Sequence, residues 1–305
     1  MNITNPKKLV VEADDLGLTK SFNYGILHSY QNGILQSTCI RTNGPAFKHA
    51  IQEILPQCPN IGIGVHLNLV EGIGEIKSRV SASRLYDASG NYKNSFSSLL
   101  IRCKLRDKKL LHEIETDYRI QIEKALSNGI RIDHLNSHQH SHVIPEIFRI
   151  VCYLAKEYGI RYVRLTRERF HSCNPLTNSL LFWYQVNLAK LVIVNKFSKQ
   201  NVATAEEFGI KTNDYFIGIT HAGHMDSDNI KKGLVTLDFL NPKLVEVLLH
   251  PCMFLLNEYD TYISSGIKSY VSANERQQEL NALLDEDLIS FINRNNWQLA
   301  NYISS

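Results

Sequence analysis

The most chemically informative feature of the sequence is a group of four histidines within nine residues. They follow a β-rich segment at 130–133 and precede a proline that starts a helical pattern, and they are His134, His138, His140 and His142. Imidazole nitrogen is a preferred ligand of zinc and of other borderline divalent ions, and an open site needs only three protein ligands. The group therefore predicts a metal centre, in which the remaining histidines orient the ligands.

Two adjacent aspartates, Asp14 and Asp15, follow the first β-rich segment at 8–13. Neighbouring residues of an extended chain point to opposite sides of the backbone. One carboxylate can then bind a metal ion while the other takes a proton. An aspartate pair before a helix also serves as an N-cap with a solvated neighbour, so the pair alone leaves both roles open.

The other β-rich segments also end in polar residues. These endings are Asn43, His66, Arg164 with Arg167, His221 with His224, and His250. Strands that are apolar until a polar C-terminal end build the active sites of parallel α/β sheets and barrels. His66 equally suits a buried structural histidine, and the two arginines suit either surface ion pairs or contacts with phosphate or sugar hydroxyls. We expect His221 and His224 to lie near the site without binding the metal.

A regular alternation of strand and helix patterns positions these endings. Helical patterns lie at 19–31, 45–54, 111–126, 145–159 and 274–292, and a last strand is expected at 297–303. Neither a GxGxxG nor a P-loop motif is present, which weakens a nucleotide-binding interpretation. The alternation predicts a single α/β domain over residues 1–305 with about seven parallel strands, and it favours a (β/α) barrel over an open sheet.

Two segments interrupt this alternation. Residues 71–98 are rich in glycine and serine, and a loop of that length usually forms a lid or a binding loop. A lid-like insertion is expected around 170–200, where the hydrophobic stretch Leu180–Val194 is too short to span a membrane. The stretch predicts a buried or lid helix. Because lysines flank it, contact with a membrane or with a lipid-linked substrate is the alternative.

The composition narrows the class of protein. A net charge of +3 is too small to indicate nucleic acid as the partner. The six cysteines are scattered without a CxxC pair, and the N-terminal residues lack the apolar core of a signal peptide. These features predict a cytoplasmic protein, and they leave open a peripheral location at the inner face of the membrane and a homodimeric state.

Taken in order, the motifs resemble those of the YdjC-like carbohydrate deacetylases. They are Ala13–Gly17, Thr42–Pro45, Gly64–Leu69, His134–His142 and Leu249–Pro251. The match extends over about residues 8–255. The resemblance implies a distorted (β/α) barrel that removes acetyl groups from N-acetylated amino sugars with one bound divalent ion, magnesium or zinc.

The resemblance also implies a role for individual positions. Asp15, His66 and His138 match the metal ligands. Asp14 matches the catalytic base, and His250 is the best match for the catalytic acid. Separately from the resemblance, the strand endings and the histidine group give the candidate substrate-binding residues Asn43, His140, Arg164 and His221. The sequence departs from the family pattern at Leu16, where many relatives have an aromatic residue, and at Asn136, where many have aspartate.

Three functions suit these residues. The leading one is hydrolysis of the N-acetyl group of an amino sugar, either in an oligosaccharide or in a lipid-linked envelope glycan precursor. The second is hydrolysis of an ester or a phosphoester on the same metal site. The third is a catalytically silent glycan-binding protein. A binding protein needs no base beside a metal, so the presence of Asp14 argues against the third function.

Overall fold

The fold is an α/β sheet of parallel strands, seen in a computed structural model that describes residues 7–76, 83–172, 182–259, 262 and 265–304. The strands are β1 (Lys7–Leu16), β2 (Ser37–Ile40), β3 (Gly62–Leu67), β4 (His134–Ser137), β5 (Tyr162–Val163), β6 (Tyr215–Ile217), β7 (Leu244–Leu249) and β8 (Trp297–Ala300). Their order across the sheet is β5-β4-β3-β2-β1-β7-β6, and β8 pairs with the start of β1. All these pairings are parallel.

The sheet curls until its two edges meet. A parallel bridge joins Tyr162 of β5 to Lys211, just before β6. The main-chain N–H of Phe216 donates to the carbonyl of Arg167 at 2.8 Å. Because β5 and β6 are the outermost strands, these contacts close the sheet on itself. The distorted (β/α) barrel of about seven parallel strands that the sequence predicts is confirmed.

Helices connect the strands and cover the outer face of the sheet. They are α1 (Lys20–Asn32), α2 (Phe47–His49), α3 (Phe96–Lys104), α4 (Lys108–Ser127), α5 (Pro145–Glu157), α6 (Phe182–Phe208), α7 (Ser227–Asp238), α8 (Leu256–Tyr259), α9 (Ser265–Val271), α10 (Asn274–Leu283) and α11 (Glu286–Arg294). Helix α5 shows how they pack, because Ile147, Val151 and Leu154 form one fully buried stripe against the sheet.

The fourth strand differs from the sequence-based expectation. It was expected at 130–133, before His134, but β4 begins at His134. The ring of His134 is buried and lies against Gly64 of β3, where a Cβ atom would come within 2.4 Å of it. A histidine inside a strand is stable here because its partners are also buried, and hydrophobic patterning does not reveal such partners.

The helix expected at 274–292 is two helices, α10 and α11. Asp285 lies between them, and its carboxylate accepts hydrogen bonds from the main-chain N–H groups of Asp287 and Leu288. This side chain caps the start of α11, so the helical pattern is interrupted at this point.

Helix α6 contains most of the hydrophobic stretch; residues 180 and 181 lie outside the described ranges. Tyr184, Leu191 and Val194 are buried, whereas Phe182 and Val192 are 81% and 69% exposed. The stretch therefore packs on one side and presents apolar side chains on the other. Among the helices of the described ranges, none is long and apolar enough to cross a membrane.

Residues 68–95 connect β3 to α3, and 77–82 lie outside the described ranges. Its described parts are fastened to α4 by Asp117, whose carboxylate accepts hydrogen bonds from the hydroxyls of Tyr86 and Tyr92, the latter at 2.7 Å. Gln121, one turn further along α4, donates to the same carboxylate. The part of the loop that carries Tyr86 and Tyr92 is thereby held against α4.

Candidate active site

The three expected metal ligands come together at the mouth of the barrel. Asp15 Oδ1 lies 3.7 Å from His66 Nε2 and 3.7 Å from His138 Nδ1. One ligand atom from each of the three residues falls within 4.8 Å of the others. They come from the end of β1, the end of β3 and the turn after β4, so the C-terminal ends of three strands of the same parallel sheet supply the whole set.

The backbone at the end of β1 separates the two aspartates. Asp15 has a φ of 71°, which is the left-handed region, and the pairing of β1 with β2 is irregular between Ala13 and Leu16. A non-glycine residue in this conformation costs on the order of 1–3 kcal/mol and is found most often at functional sites. The irregularity places Asp14 and Asp15 among different partners.

In both His66 and His138, the ring nitrogen that does not face Asp15 contacts an oxygen of another side chain. His66 Nδ1 lies 2.7 Å from Asn136 Oδ1, and His138 Nε2 lies 3.1 Å from the carboxylate of Glu71. Each acceptor keeps the proton on the outer nitrogen and leaves a lone pair towards Asp15. Burial also lowers the pKa of His66 to about 4, so the ring is neutral at pH 7. A carboxylate with two imidazoles fits a divalent ion.

Asp14 points into the barrel and is held by Arg164. The two guanidinium nitrogens lie 2.9 and 2.7 Å from its two carboxylate oxygens. Asn136 Nδ2 and Cys39 Sγ donate to Oδ1 at 3.3 and 3.0 Å. Burial alone would raise the pKa of Asp14, but Arg164 and then His66 hold it well below its usual range. Asp14 is therefore a carboxylate at neutral pH.

A second group, Asp14, Cys39 and His66, is also close enough to hold an ion. Its chemistry is less suitable. The Arg164 guanidinium already neutralises Asp14, and His66 Nδ1 is bonded to Asn136. Burial and then the charge of Asp14 raise the pKa of Cys39 well above its usual range, so the thiol keeps its proton. The arrangement favours the group that contains Asp15.

His250 ends β7 on the opposite side of Asp15. Its Nδ1 lies 3.1 Å from the carboxylate of Glu279, which also accepts the main-chain N–H of His250 and pairs with Arg276 at 3.0 Å. Tyr270 contacts both His250 and Asp15: its ring lies 6.2 Å from that of His250, and its hydroxyl donates to Asp15 Oδ2 at 3.0 Å. The Glu279 contact fixes the ring and leaves Nε2 without a hydrogen bond among the described residues.

The four candidate substrate-binding residues divide into two pairs. Asn43 and His140 are at the mouth: Asn43 Nδ2 donates to the carbonyl of Ile73 at 3.2 Å, and the His140 ring lies 5.6 Å from that of Phe216. Arg164 and His221 are fully buried. Arg164 pairs with Asp14 rather than facing solvent, as either a surface ion pair or a sugar contact would require.

Sequence reasoning missed the residues that orient the expected ones. Glu71 and Glu279 contact His138 and His250, and a buried cluster of Glu12, Asp133 and His134 lies beneath the site. Glu71 stands five positions after His66 in the loop that β3 enters, and this nearness was the only signal in the sequence. Glu279 follows an ordinary amphipathic pattern, which cannot distinguish it from a surface glutamate.

Comparison with known proteins gives a consistent result over almost the whole chain. The sequence profile of the family described as YdjC-like protein matches residues 8–294. The chain is similar to a carbohydrate deacetylase of Thermoanaerobacter pseudethanolicus, at 28% identity over 97% of this chain and 98% of the relative. It is 30% identical to a carbohydrate deacetylase of Listeria monocytogenes, over 93% of this chain and 98% of the relative.

The fold also matches a solved structure. A crystal structure from Enterococcus faecalis, described as a cellobiose-phosphate cleavage protein, superposes with a TM-score of 0.74 over 98% of each chain. The two sequences are 20% identical, so this likeness concerns the fold alone.

Proposed function

The chain belongs to the YdjC-like family, and from this membership we propose that it is a metal-dependent carbohydrate deacetylase acting on the N-acetyl group of an amino sugar. The observation that carries the proposal is the donor set of Asp15, His66 and His138 beside the ionised carboxylate of Asp14. A metal site with an adjacent base is what hydrolysis needs and what simple sugar binding does not.

Hydrolysis of an acetamide requires an activated water molecule, stabilisation of the developing oxyanion and a proton for the departing amine. A divalent ion held by Asp15, His66 and His138 would acidify a water molecule and polarise the acetyl carbonyl. The first two requirements are thereby placed at the mouth of the barrel, where the substrate enters.

Asp14 is the proposed base. Arg164 holds both of its oxygens and lowers its pKa, so the carboxylate stays ionised and in one orientation. A carboxylate of low pKa is a weak base, and it accepts a proton only from water that is already acidified. Asp14 therefore depends on the neighbouring ligands, and we expect no turnover in metal-free protein.

His250 is the proposed acid. With Nδ1 held by Glu279, the ring can hand a proton from Nε2 to the leaving sugar nitrogen. His250 and Asp14 lie at the ends of adjacent strands, β7 and β1. We expect the two side chains to act on the acetamide as a separate proton acceptor and proton donor.

The proposal is tested by acetate release. Metal-stripped full-length protein is supplied with Zn²⁺, Mg²⁺, Mn²⁺, Co²⁺ or Ni²⁺ and incubated with N-acetylated sugars, from a monosaccharide to a chito-oligosaccharide and a lipid-linked amino sugar. We expect acetate from at least one substrate and none with Asp14→Asn. Stoichiometric metal without acetate would overturn deacetylation. Turnover of ester or phosphoester substrates would then favour the second function, and sugar affinity alone would favour the third.

The outer face of α6 supports a finer proposal, contact with an anionic membrane surface that carries the substrate. Val192 and Ile193 are exposed on this face, and Lys196 and Lys199 follow on the same side of the helix. Apolar side chains next to lysines are typical of helices that lie in the membrane interface.

This contact is tested by sedimentation with vesicles of phosphatidylglycerol and phosphatidylcholine. We expect the wild type to bind and the double variant Val192→Ser, Ile193→Ser to lose binding. Val235→Ser, at a residue of α7 that is 57% exposed, is the matched control and should bind normally. A wild type that stays in the supernatant and prefers free oligosaccharides would exclude membrane contact.

A further inference from the structure

Glu71, a carboxylate outside the expected set, contacts the candidate metal centre. Its Oε2 lies 3.1 Å from His138 Nε2 and 3.6 Å from the guanidinium of Arg41, which in turn lies 3.4 Å from Asp15 Oδ1. We infer that Glu71 is a positioning residue for the metal centre, and that metal binding is coupled to the order of the loop at 68–76. The inference rests on the metal site of the proposed function.

His138 needs a partner to be a good ligand. It stands at the start of an irregular turn in which Gln139 and His140 have φ values of 51° and 53°. A neutral imidazole offers a lone pair on only one nitrogen, and a hydrogen bond at the other nitrogen decides which one. The Glu71 carboxylate lies 3.1 Å from Nε2 and so favours the tautomer with its proton there, in which Nδ1, the nitrogen that faces Asp15, has the lone pair.

The chain holds Glu71 in place through a tight turn. Asn68 Nδ2 donates to the carbonyl of Glu71 at 2.6 Å, and Asn68 Oδ1 accepts the main-chain N–H of Glu71 at 3.3 Å. The turn is fixed to α4, because Gln121 bonds to both main-chain polar groups of Asn68, at 2.9 and 2.8 Å. The position of the loop therefore determines the position of the carboxylate.

The two metal-binding histidines are held in different ways. Asn136, which holds His66, is fully buried inside β4. Glu71 is on a loop, and its side chain is 34% exposed. A displacement of the loop would release His138 but not His66. By linkage, an ion that needs His138 must then stabilise the loop position in which Glu71 contacts it.

The first test measures the affinity of metal-stripped full-length protein for Co²⁺, followed through the visible absorption of the bound ion. We expect Glu71→Ala to weaken binding roughly 10- to 100-fold, as loss of an outer hydrogen-bond partner does elsewhere. Glu71→Gln should weaken it less, because an amide oxygen still accepts the proton from Nε2. Glu75→Ala is the matched control, since Glu75 is on the same loop but pairs with Lys124 at 2.8 Å.

The second test measures amide hydrogen exchange in residues 68–76 with and without Co²⁺. We expect the ion to slow exchange in the wild type and in Glu75→Ala, but not in Glu71→Ala. Wild-type affinity and spectrum in Glu71→Ala would overturn this inference while leaving the metal site intact. No Co²⁺ binding by the wild type would overturn the metal site of the proposed function and this inference together.

Discussion

His134 and His138 stand four residues apart in one motif, yet their surroundings are opposite. Both ring nitrogens of His134 are occupied, Nδ1 by Asp133 at 2.5 Å and Nε2 by Glu12 at 2.9 Å, and the side chain is fully buried. His138 has one nitrogen on Glu71 and the other towards Asp15. A histidine in such a motif can therefore bind a metal ion only if one of its ring nitrogens has no partner in the protein.

The same difference separates the barrel interior from its mouth. In the interior, Arg164 pairs with Glu246 at 2.6 Å and with Asp14, and Glu246 also accepts the hydroxyl of Tyr302. Buried charges are tolerated when they are paired, and here each charged group has an oppositely charged neighbour. Because Arg164 belongs to this network of paired charges, the network fixes the orientation of Asp14. At the mouth, His66 and His138 each have a close side-chain partner at the outer ring nitrogen only.

Replacing His138 with glutamine should have the largest effect on activity. We expect acetate release to fall roughly 10³-fold or more, equivalent to about 4 kcal/mol of transition-state stabilisation, because one of three protein ligands is lost. The free energy of unfolding of the metal-free variant should stay within about 0.5 kcal/mol of wild type. Acetate assays and urea unfolding check the two expectations, and an unchanged turnover would contradict the ligand role.

Replacing His134 with glutamine should instead reduce stability. The change leaves the carboxylates of Glu12 and Asp133 buried without a cation, and breaking a buried pair costs about 3–5 kcal/mol. The fraction of the variant that folds should still bind one metal ion per chain. Urea unfolding of the metal-free proteins measures the loss. A variant as stable as the wild type but unable to bind metal would reverse the assignment of the two histidines.

The pH dependence of stability should sharpen the comparison further. Burial alone would lower the pKa of His134, but Glu12 and Asp133 raise it from 6.5 to about 10. The folded state thus binds a proton that the unfolded state releases above pH 6.5. The stabilisation is complete below pH 6.5 and is lost as the pH rises towards 10, at about 1.4 kcal/mol per pH unit. Urea unfolding between pH 6.5 and 9.5 should show this decline in the wild type and a flatter profile in His134→Gln.

Changes at Asn136 should have the smallest of these effects. Asn136 accepts from His66 and donates to Asp14. We expect Asn136→Ala to weaken metal affinity roughly tenfold, because His66 loses its orienting acceptor. Asn136→Asp keeps an acceptor for His66, so it should retain metal affinity and turnover. Calorimetric metal titration beside acetate assays separates the two variants, and equal behaviour of both would contradict the orienting role of Asn136.

Much of the mouth could be predicted from the sequence because it lies at strand ends. The polar strand endings predicted where such residues would meet, since the C-terminal ends of parallel strands lie at one edge, and the family resemblance selected Asp15, His66 and His138 among them. The structure brings these three residues together.

The interior could not be predicted in the same way. Glu12 and Glu246 stand within otherwise apolar strands, and their partners His134 and Arg164 are more than 80 residues away in the chain. The pairing of such groups depends on tertiary contacts that no local pattern contains. Glu71 could not be predicted for a related reason. Its contact with His138 depends on how the loop folds back onto α4.

The most direct test of this account is X-ray diffraction from zinc-loaded crystals at wavelengths on either side of the zinc absorption edge. We predict one anomalous peak per chain, within coordination distance of Asp15, His66 and His138, and none beside Glu12 and His134. A peak between Asp14 and Cys39, or one bound by His134, would contradict the account. It would mean that the ion binds in the interior, where both ring nitrogens of His134 have protein partners, and not at the mouth, where one ring nitrogen of His138 is open.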